Sequence, residues 1–202
     1  MVMIQIIDNG EPLVNLKVVP NIFIKLNNPG EAYARKTVAN MLKESTEYLP
    51  SNYNLQVRSA WRDKKEQERL LGLAEVRFKK LHPNWSAKRI QEEIYKYVAP
   101  VGGPDASGHL CGAALDLRLL KNGKVLPMRS SRLSFQENAQ SHQILLPRYI
   151  RKNRAIMHSA LEKAGFANLD EEFWHFSYGD YEWAKKTGNK LAIYGVTGLN
   201  KK

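Results

Sequence analysis

The spacing of hydrophobic positions changes several times along this chain, and each change marks a different predicted element. Over residues 1–25, short apolar runs alternate with turn residues, which predicts strands and an extended entry segment. Between residues 31 and 49 the apolar positions fall on one helical face. The segment NLQVRSAW (54–61) predicts a strand that brings Arg58 or Arg62 to one end of a sheet.

Two more helices are predicted in the middle of the chain. Residues 62–81 have helical spacing and end at a His-Pro pair. Ser86 is a good N-cap for the next helix, which extends towards Pro100. The glycine-rich stretch 101–108 then predicts a loop. The apolar stripe expected on the first of these helices consists of Leu70, Leu73, Ala74, Val76, Phe78 and Leu81.

The second half of the chain mixes strands and helices without a regular alternation. The segment GAALDLRLL (112–120) predicts a buried central strand, and an Asn-Gly pair just after it predicts a hairpin. We expect a long loop over 129–148, a helix over 149–164 and extended structure over 166–180. This order favours an α+β fold. No linker divides the chain, so we expect one domain over residues 1–202.

Cysteine content and hydropathy bear on the cellular compartment. Cys111 is the only cysteine, so an internal disulfide and a multi-cysteine metal site are both excluded. No run approaches the ~18 apolar residues of a membrane span. Acidic residues interrupt the apolar N-terminus, which also lacks a basic leader. We therefore expect a cytoplasmic protein.

The net charge of +11 suggests an anionic partner. The basic residues are spread along the chain in short clusters, and no nucleic-acid recognition motif is present. We therefore do not expect a nucleic-acid partner. Binding that falls steeply with salt would be the signature of that alternative.

Four polar residues in two short segments are candidates for chemistry, and the first segment is mostly small and apolar. His109 and Asp116 belong to SGHLCGAALD, and Glu172 and His175 to DEEFWHF. A buried carboxylate is costly unless a cation meets it. Two imidazoles and one carboxylate form a recurrent ligand set of catalytic zinc, and a nearby glutamate can move protons. The structural alternative stays open, because a lone histidine is more often hydrogen-bonded than a metal ligand.

The remaining candidates receive structural interpretations. Ser107 has no adjacent base and is a poor nucleophile. Gly112 and its alanine neighbours would let the backbone pass close to a metal and a ligand, with Gly112 on the same strand face as Asp116. Structural roles are expected for His82, His142, His158, Cys111, Trp174 and Phe176.

Taken together, two motifs carry a family resemblance. SGHLCGAALD fits the pattern SxHxxGxAxD, and EFWH fits ExWH. The chain therefore resembles the zinc D-Ala-D-Ala peptidases of the M15 family, most closely the D-alanyl-D-alanine dipeptidase branch of the vancomycin-resistance type. The similarity covers most of the chain, including the segments NGKVLPM, AGF and HFSYGDYEWA.

The resemblance implies a ligand set, a catalytic pair and a fold. It implies one zinc ion per chain, held by His109, Asp116 and His175. Glu172 would act as catalytic base and then acid, and Arg62 would stabilise the charge that develops on the carbonyl oxygen. Ser107 would help to shape the site and bind substrate. The implied fold packs helices on a mainly antiparallel sheet, as in zinc D,D-peptidases and Hedgehog domains.

Two positions depart from the dipeptidase pattern. Ser59 stands where the dipeptidases often have an aspartate. Ser134 stands where they carry the acid that receives the free amino group of the dipeptide, and Glu137 is a nearby substitute. Without such an anion, a longer peptide ending in D-Ala-D-Ala, or another dipeptide, becomes a possible substrate.

The resulting expectation is zinc-dependent hydrolysis of D-Ala-D-Ala or a related short D-amino-acid dipeptide, with a small peptide as the partner. One alternative is a D,D-carboxypeptidase or endopeptidase that acts on cell-wall peptides. Another is a non-catalytic zinc-bearing binding domain, which the presence of both Glu172 and Arg62 disfavours.

Overall fold

A computed structural model describes residues 3–27, 32–103 and 106–199. The described part contains ten strands and six α-helices. The strands are β1 (Gln5–Ile6), β2 (Leu13–Asn15), β3 (Ile22–Ile24), β4 (Tyr33–Arg35), β5 (Tyr53–Ser59), β6 (Ala114–Lys121), β7 (Lys124–Val125), β8 (Ala167–Leu169), β9 (Glu172–Ser177) and β10 (Leu191–Ala192). The helices are α1 (Lys36–Glu47), α2 (Lys64–Leu81), α3 (Ala87–Ile94), α4 (Phe135–Ala139), α5 (Arg148–Lys163) and α6 (Tyr181–Thr187).

The central sheet has the strand order β3-β5-β6-β9-β8, with β7 paired to β6. Only β3 and β5 run parallel within it, and the other pairs are antiparallel. Two small ribbons, β1 with β10 and β2 with β4, lie apart from this sheet. The α+β fold with a mainly antiparallel sheet is therefore confirmed.

Strand β6 separates the core from the functional face. Leu115, Leu117 and Leu119 are fully buried in the core, against which α1 and α5 also pack. Side chains alternate across a strand, so Asp116 and Arg118 lie on the opposite face. One apolar strand thus anchors the sheet and presents polar groups to the other side.

Several local predictions are confirmed. β6 is the central strand, and Asn122 and Gly123 both have positive φ (50° and 72°), as the tight turn of a hairpin requires. Oγ of Ser86 accepts from the backbone N–H of Arg89 and caps α3. Helix α5 ends before Gly165, whose φ is 95°.

Other predictions were wrong in extent. The helix expected from residue 31 begins at Lys36, because 33–35 pair with β2; residue 31 itself lies outside the described part. The loop expected over 129–148 contains the short helix α4. The apolar stripe of α2 does not form core, since Leu73, Val76 and Leu81 are exposed. No helix in the described ranges is long and apolar enough to cross a membrane.

A buried arginine joins segments from both ends of the chain. Arg35, 1% exposed, forms an ion pair with Asp8 and donates to the carbonyls of Glu11, Cys111 and Gly195. Its backbone N–H also donates to the carbonyl of Gly112 at 2.8 Å. These bonds hold the loop that precedes β6 in place.

Candidate metal centre and active site

The sheet register brings the first two candidate ligands together. Asp116 of β6 is directly opposite His175 of β9. Nδ1 of His175 lies 3.2 Å from Oδ1 of Asp116. Both residues are buried, at 9% and 8% exposure. Two neighbouring strands therefore hold these side chains side by side.

His109 comes from the turn before β6. Its Nδ1 lies 2.8 Å from the carbonyl oxygen of Ala60. A carbonyl can only accept, so Nδ1 donates, and Nε2 of the neutral ring carries a free lone pair. That Nε2 faces Oδ1 of Asp116 at 3.3 Å. A nitrogen lone pair and an ionised oxygen at this distance repel each other, and a cation bound to both atoms would remove that repulsion.

The three donor atoms meet the requirements of a divalent metal. Ligand atoms of His109, Asp116 and His175 all lie within 4.8 Å of one another. Imidazole nitrogens with one carboxylate suit zinc, and three protein ligands leave a coordination position open. The bond from Ala60 to the far nitrogen of His109 is the kind of outer contact that orients a metal-binding histidine.

The protonation states of His109 and Asp116 also suit a metal. Burial lowers the pKa of His109 to about 4, so this ring is neutral near pH 7. Burial opposes ionisation of Asp116, but His109 and His175 hold the pKa of that carboxyl below its usual range. A neutral imidazole and an ionised carboxylate are the forms that bind metals.

A β-bulge brings Glu172 beside the cluster. Residues three apart on a regular strand point to opposite faces. In β9, however, Asn168 pairs with Phe176 while the adjacent Leu169 pairs with Glu172, so β9 carries extra residues between the two pairs. Oε2 of Glu172 consequently lies 3.8 Å from Nδ1 of His175.

Glu172 has the properties of a proton-transfer group. Its side chain is 15% exposed, and burial raises its pKa to about 7. A carboxyl group with such a pKa can both accept and return a proton near neutral pH. The structure therefore places an acid–base group at the edge of the candidate metal site.

Arg62 is also brought to the site. Its Nη2 lies 3.3 Å from Oδ2 of Asp116, and Oγ of Ser59 accepts from both Nε and Nη2, at 3.0 and 2.8 Å. Its backbone N–H donates to the carbonyl of His109 at 3.1 Å. Ser59, which stands where the dipeptidases often have an aspartate, thus orients the guanidinium without neutralising its charge.

Ser107 and Gly108 shape the His109 turn. Oγ of Ser107 accepts from the backbone N–H of His109 at 3.3 Å. Gly108 packs so closely against Asp180 that a Cβ there would overlap Oδ2 of that carboxyl group. Asp180 is 2% exposed and caps α6 by accepting from the N–H of Trp183. The glycine in SGH is therefore a steric requirement.

Some expectations need correction. Gly112 precedes β6, so it does not share the strand face of Asp116. A Cβ there would overlap Leu13, so this glycine admits the β2 ribbon, not a ligand. Glu137 is engaged at one carboxylate oxygen: Oε2 accepts from the N–H of Ser134, whose hydroxyl caps α4 in return.

Sequence reasoning missed the groups that support the site. The side-chain nitrogen of Asn168 donates to the carbonyls of Glu172 and His175, at 3.1 and 2.8 Å, and so spans the bulge. The Glu-x-x-His spacing carries the signal, because both residues can face one site only if the strand is irregular. Asp180 and the carbonyl of Ala60 have no comparable signal in the sequence.

Comparison with known proteins adds to this geometry. Residues 21–191 match the model of the M15 peptidase family, described as D-ala-D-ala dipeptidase. The chain belongs to this family. The M15 resemblance carried by the two motifs is thereby confirmed.

Individual relatives of this M15 chain are more distant. It is 29% identical over 128 residues to a D-alanyl-D-alanine dipeptidase of Synechocystis sp. (strain ATCC 27184 / PCC 6803 / Kazusa), covering 54% of this chain and 52% of the relative. The chain thus spans about half the length of this curated relative.

Two solved structures are similar over nearly the whole chain. One is a glutamate-to-alanine mutant of the vancomycin resistance D,D-pentapeptidase VanY with Zn(II) (12% identity, TM-score 0.47, 93% of this chain and 94% of that one). The other is VanYB with D-Alanine-D-Alanine (13% identity, TM-score 0.48, 92% of each chain).

Proposed function

We propose that this chain is a zinc-dependent peptidase that hydrolyses D-Ala-D-Ala or a related short D-amino-acid dipeptide. The observation that carries the proposal is the meeting of His109, Asp116 and His175 within 4.8 Å, with Glu172 beside them. Membership of the D-ala-D-ala dipeptidase family supports the substrate class. A small peptide is the proposed partner, and residues 1–202 are proposed to act as one domain in the cytoplasm.

One zinc ion per chain would be held by His109, Asp116 and His175. Zinc in such a site supplies Lewis acidity towards water and towards the scissile carbonyl group. The neutral state of His109 and the ionised state of Asp116 match this role.

Glu172 is proposed to be the proton carrier. Its carboxylate accepts a proton from the attacking water and returns it to the leaving amine. A pKa of about 7 suits both transfers, and positioned acid–base catalysis of this kind contributes roughly 10²–10⁴-fold to the rate.

Arg62 is proposed to stabilise the negative charge that develops on the carbonyl oxygen. Ser59 fixes the guanidinium through two hydrogen bonds, so little reorganisation is needed during the reaction. Ser107 is proposed to help bind substrate by shaping the His109 turn.

A second candidate function is that of a D,D-carboxypeptidase on longer peptides. The specific observation that favours it is the capping box of Ser134 and Glu137, which ties one oxygen of the carboxylate expected to receive a free amino group to the start of α4. A site without that anion has less reason to reject a peptide with a blocked amino terminus.

Release of D-alanine from D-Ala-D-Ala and from its N-acetyl derivative tests both candidates. The dipeptidase proposal expects cleavage of the free dipeptide by the zinc-loaded protein, and none by a His109→Ala variant that has lost the metal. Faster cleavage of the acetylated form would favour the second candidate. Failure to cleave either compound would contradict both.

A further inference from the structure

A cavity of about 390 Å³ opens beside the candidate metal cluster. Asp116 belongs to its lining, so a ligand bound in the cavity would lie next to the candidate metal cluster. Three consecutive residues of β6 and Arg58 of β5 line it, and Phe173 and Trp174 of β9 form an aromatic wall. The space is large enough for the part of a short peptide that flanks the scissile bond.

Three arginines converge on this cavity. Arg58 is the extra residue of a bulge in β5, and Arg118 follows Asp116 on the same face of β6. Arg129 comes from the segment after β7. Its guanidinium carbon lies 4.7 Å from the ring centroid of Trp174 and 5.3 Å from that of Phe135, so stacking fixes its orientation.

None of the three arginines forms an ion pair with a carboxylate among residues 3–27, 32–103 and 106–199. Arg58 donates to the neutral amide oxygen of Asn27. Burial, with Arg118 as the next cause, lowers the pKa of both Arg58 and Arg129, and the Glu172 carboxylate opposes this shift only in part at Arg129. By contrast, Arg35 has Asp8 as its counter-ion.

Three like charges line one cavity and repel one another, although the Arg118 and Arg129 side chains are partly open to solvent. The carboxylate in the lining, Asp116, is already engaged by Arg62 and the two histidines of the candidate metal cluster. A ligand carboxylate would relieve that repulsion, and guanidinium groups bind carboxylates with geometric specificity. An ammonium group would be repelled. A single C-terminal carboxylate leaves most of this positive charge unmatched, which indicates a second acidic group on the substrate.

We propose that this cavity is an anion subsite formed by Arg58, Arg118 and Arg129, and that it selects short peptides bearing an acidic side chain next to the scissile bond. This substrate class deepens the proposed peptidase function and rests on it. The D-amino-acid substrate would then be acidic, and D-Ala-D-Ala itself would be a weaker substrate.

The test compares acidic dipeptides with their neutral isosteres. Zinc-loaded enzyme is given D-Glu-D-Ala against D-Gln-D-Ala, and D-Ala-D-Glu against D-Ala-D-Gln, with D-Ala-D-Ala as reference. The variant Arg118→Gln/Arg129→Gln removes two charges from the cavity. Arg132→Gln, an exposed arginine outside the cavity lining, is the matched control. Dissociation constants for the same peptides are measured on zinc-loaded Glu172→Gln protein, which separates binding from turnover.

We expect the glutamyl member of at least one pair to be preferred by about tenfold or more, since a charge-assisted hydrogen bond contributes about 1.5–3 kcal/mol and 1.4 kcal/mol is tenfold. The preference should vanish in the double variant and persist in the control. Equal cleavage rates and equal dissociation constants for the glutamyl and glutaminyl peptides would overturn the subsite, even if D-Ala-D-Ala were cleaved.

The outcomes also separate the subsite from the peptidase proposal. Tighter binding of a glutamyl peptide without turnover of any peptide would contradict hydrolysis and support the subsite. Equal losses on every peptide in the double variant would mean that the cavity binds the terminal carboxylate, which overturns selection for an acidic side chain.

Discussion

The side-chain amide of Asn168 donates to the main-chain carbonyl of His175 at 2.8 Å, and the same nitrogen reaches the carbonyl of Glu172 at 3.1 Å. One buried amide thus bridges the bulge that turns both side chains towards the candidate metal. It acts on the reaction only through the two residues that it holds.

Replacing Asn168 by Asp should disturb the site with little change in shape, because an acceptor oxygen would then face two carbonyls. We expect zinc affinity and kcat to fall about 10–100-fold, the usual range for an outer-shell partner. Metal titration and steady-state kinetics measure both quantities. Asn153→Asp, whose amide makes one exposed bond to Pro127, should leave them unchanged. Equal kcat values in the two variants would contradict the positioning role.

Substitution of Gly108 by Ala should damage the His109 turn. The new Cβ would overlap Oδ2 of Asp180 and lie 3.0 Å from the Cβ of Ala114. Neither neighbour is the end of a long flexible side chain, so we expect weaker zinc binding and a loss of stability of about 1–3 kcal/mol. Gly102→Ala, where a Cβ meets nothing within 4 Å, is the control. Indistinguishable urea midpoints and zinc contents would refute the steric argument.

The exchange Arg35→Met should be strongly destabilising. It removes the partner of Asp8 and leaves the carbonyls of Cys111 and Gly195 without this donor. Asp8 is 35% exposed, so the main loss comes from the carbonyls, at about 1–3 kcal/mol for each buried acceptor left unsatisfied. The matched exchange Lys79→Met breaks an exposed helical pair with Glu75 and should cost about half a kcal/mol or less. Denaturant unfolding of both variants provides the measurement, and similar losses would contradict this prediction.

The buried imidazole of His158 should make the folded protein less stable in acid. Burial lowers its pKa from 6.5 to about 4, while Nε2 donates to the carbonyl of Phe173 at 3.0 Å. The unfolded chain therefore binds a proton at this residue near pH 6.5, and the folded chain does so only near pH 4. Stability is fully present above pH 6.5 and falls by about 3 kcal/mol as the pH drops to 4.

Replacing His158 by Gln keeps a donor for Phe173 and removes the titration. Unfolding free energies of both proteins, measured with a chelator present so that metal release contributes to neither, give the difference. It should shift in favour of the variant by about 3 kcal/mol between pH 7 and pH 4. Parallel pH profiles would show that His158 is not the titrating group.

Patterns with a strong local cause could be predicted from the sequence. The apolar run of β6, the Asn-Gly turn and the Ser86 cap each depend on a few adjacent residues, and all three are confirmed. The ligand set could be proposed because motif spacing carries it, and His109, Asp116 and His175 do meet in space.

Features that depend on distant contacts could not be predicted. The start of α1 is set by pairing of β4 with β2, which no pattern within residues 31–49 reveals. The face on which Glu172 lies depends on a bulge relative to β8. The exposed stripe of α2 has helical spacing, but no element in the described part of the chain covers Leu73 and Val76, so the periodicity overestimated the burial of these side chains. Arg58, Arg118 and Arg129 meet only because of the register between β5 and β6 and the path of the segment after β7.

The proposed metal centre and the proposed role of Glu172 are tested most directly by a paired measurement on the Glu172→Gln variant and the wild-type protein: zinc per chain by metal analysis, and D-alanine released from the preferred dipeptide. We expect one zinc per chain in both proteins and turnover reduced by about 10²-fold or more in the variant, because the ligands remain and the proton carrier is lost. A variant that keeps zinc and near-full turnover would contradict the assigned role of Glu172, and wild-type protein that binds no zinc would contradict the metal centre itself.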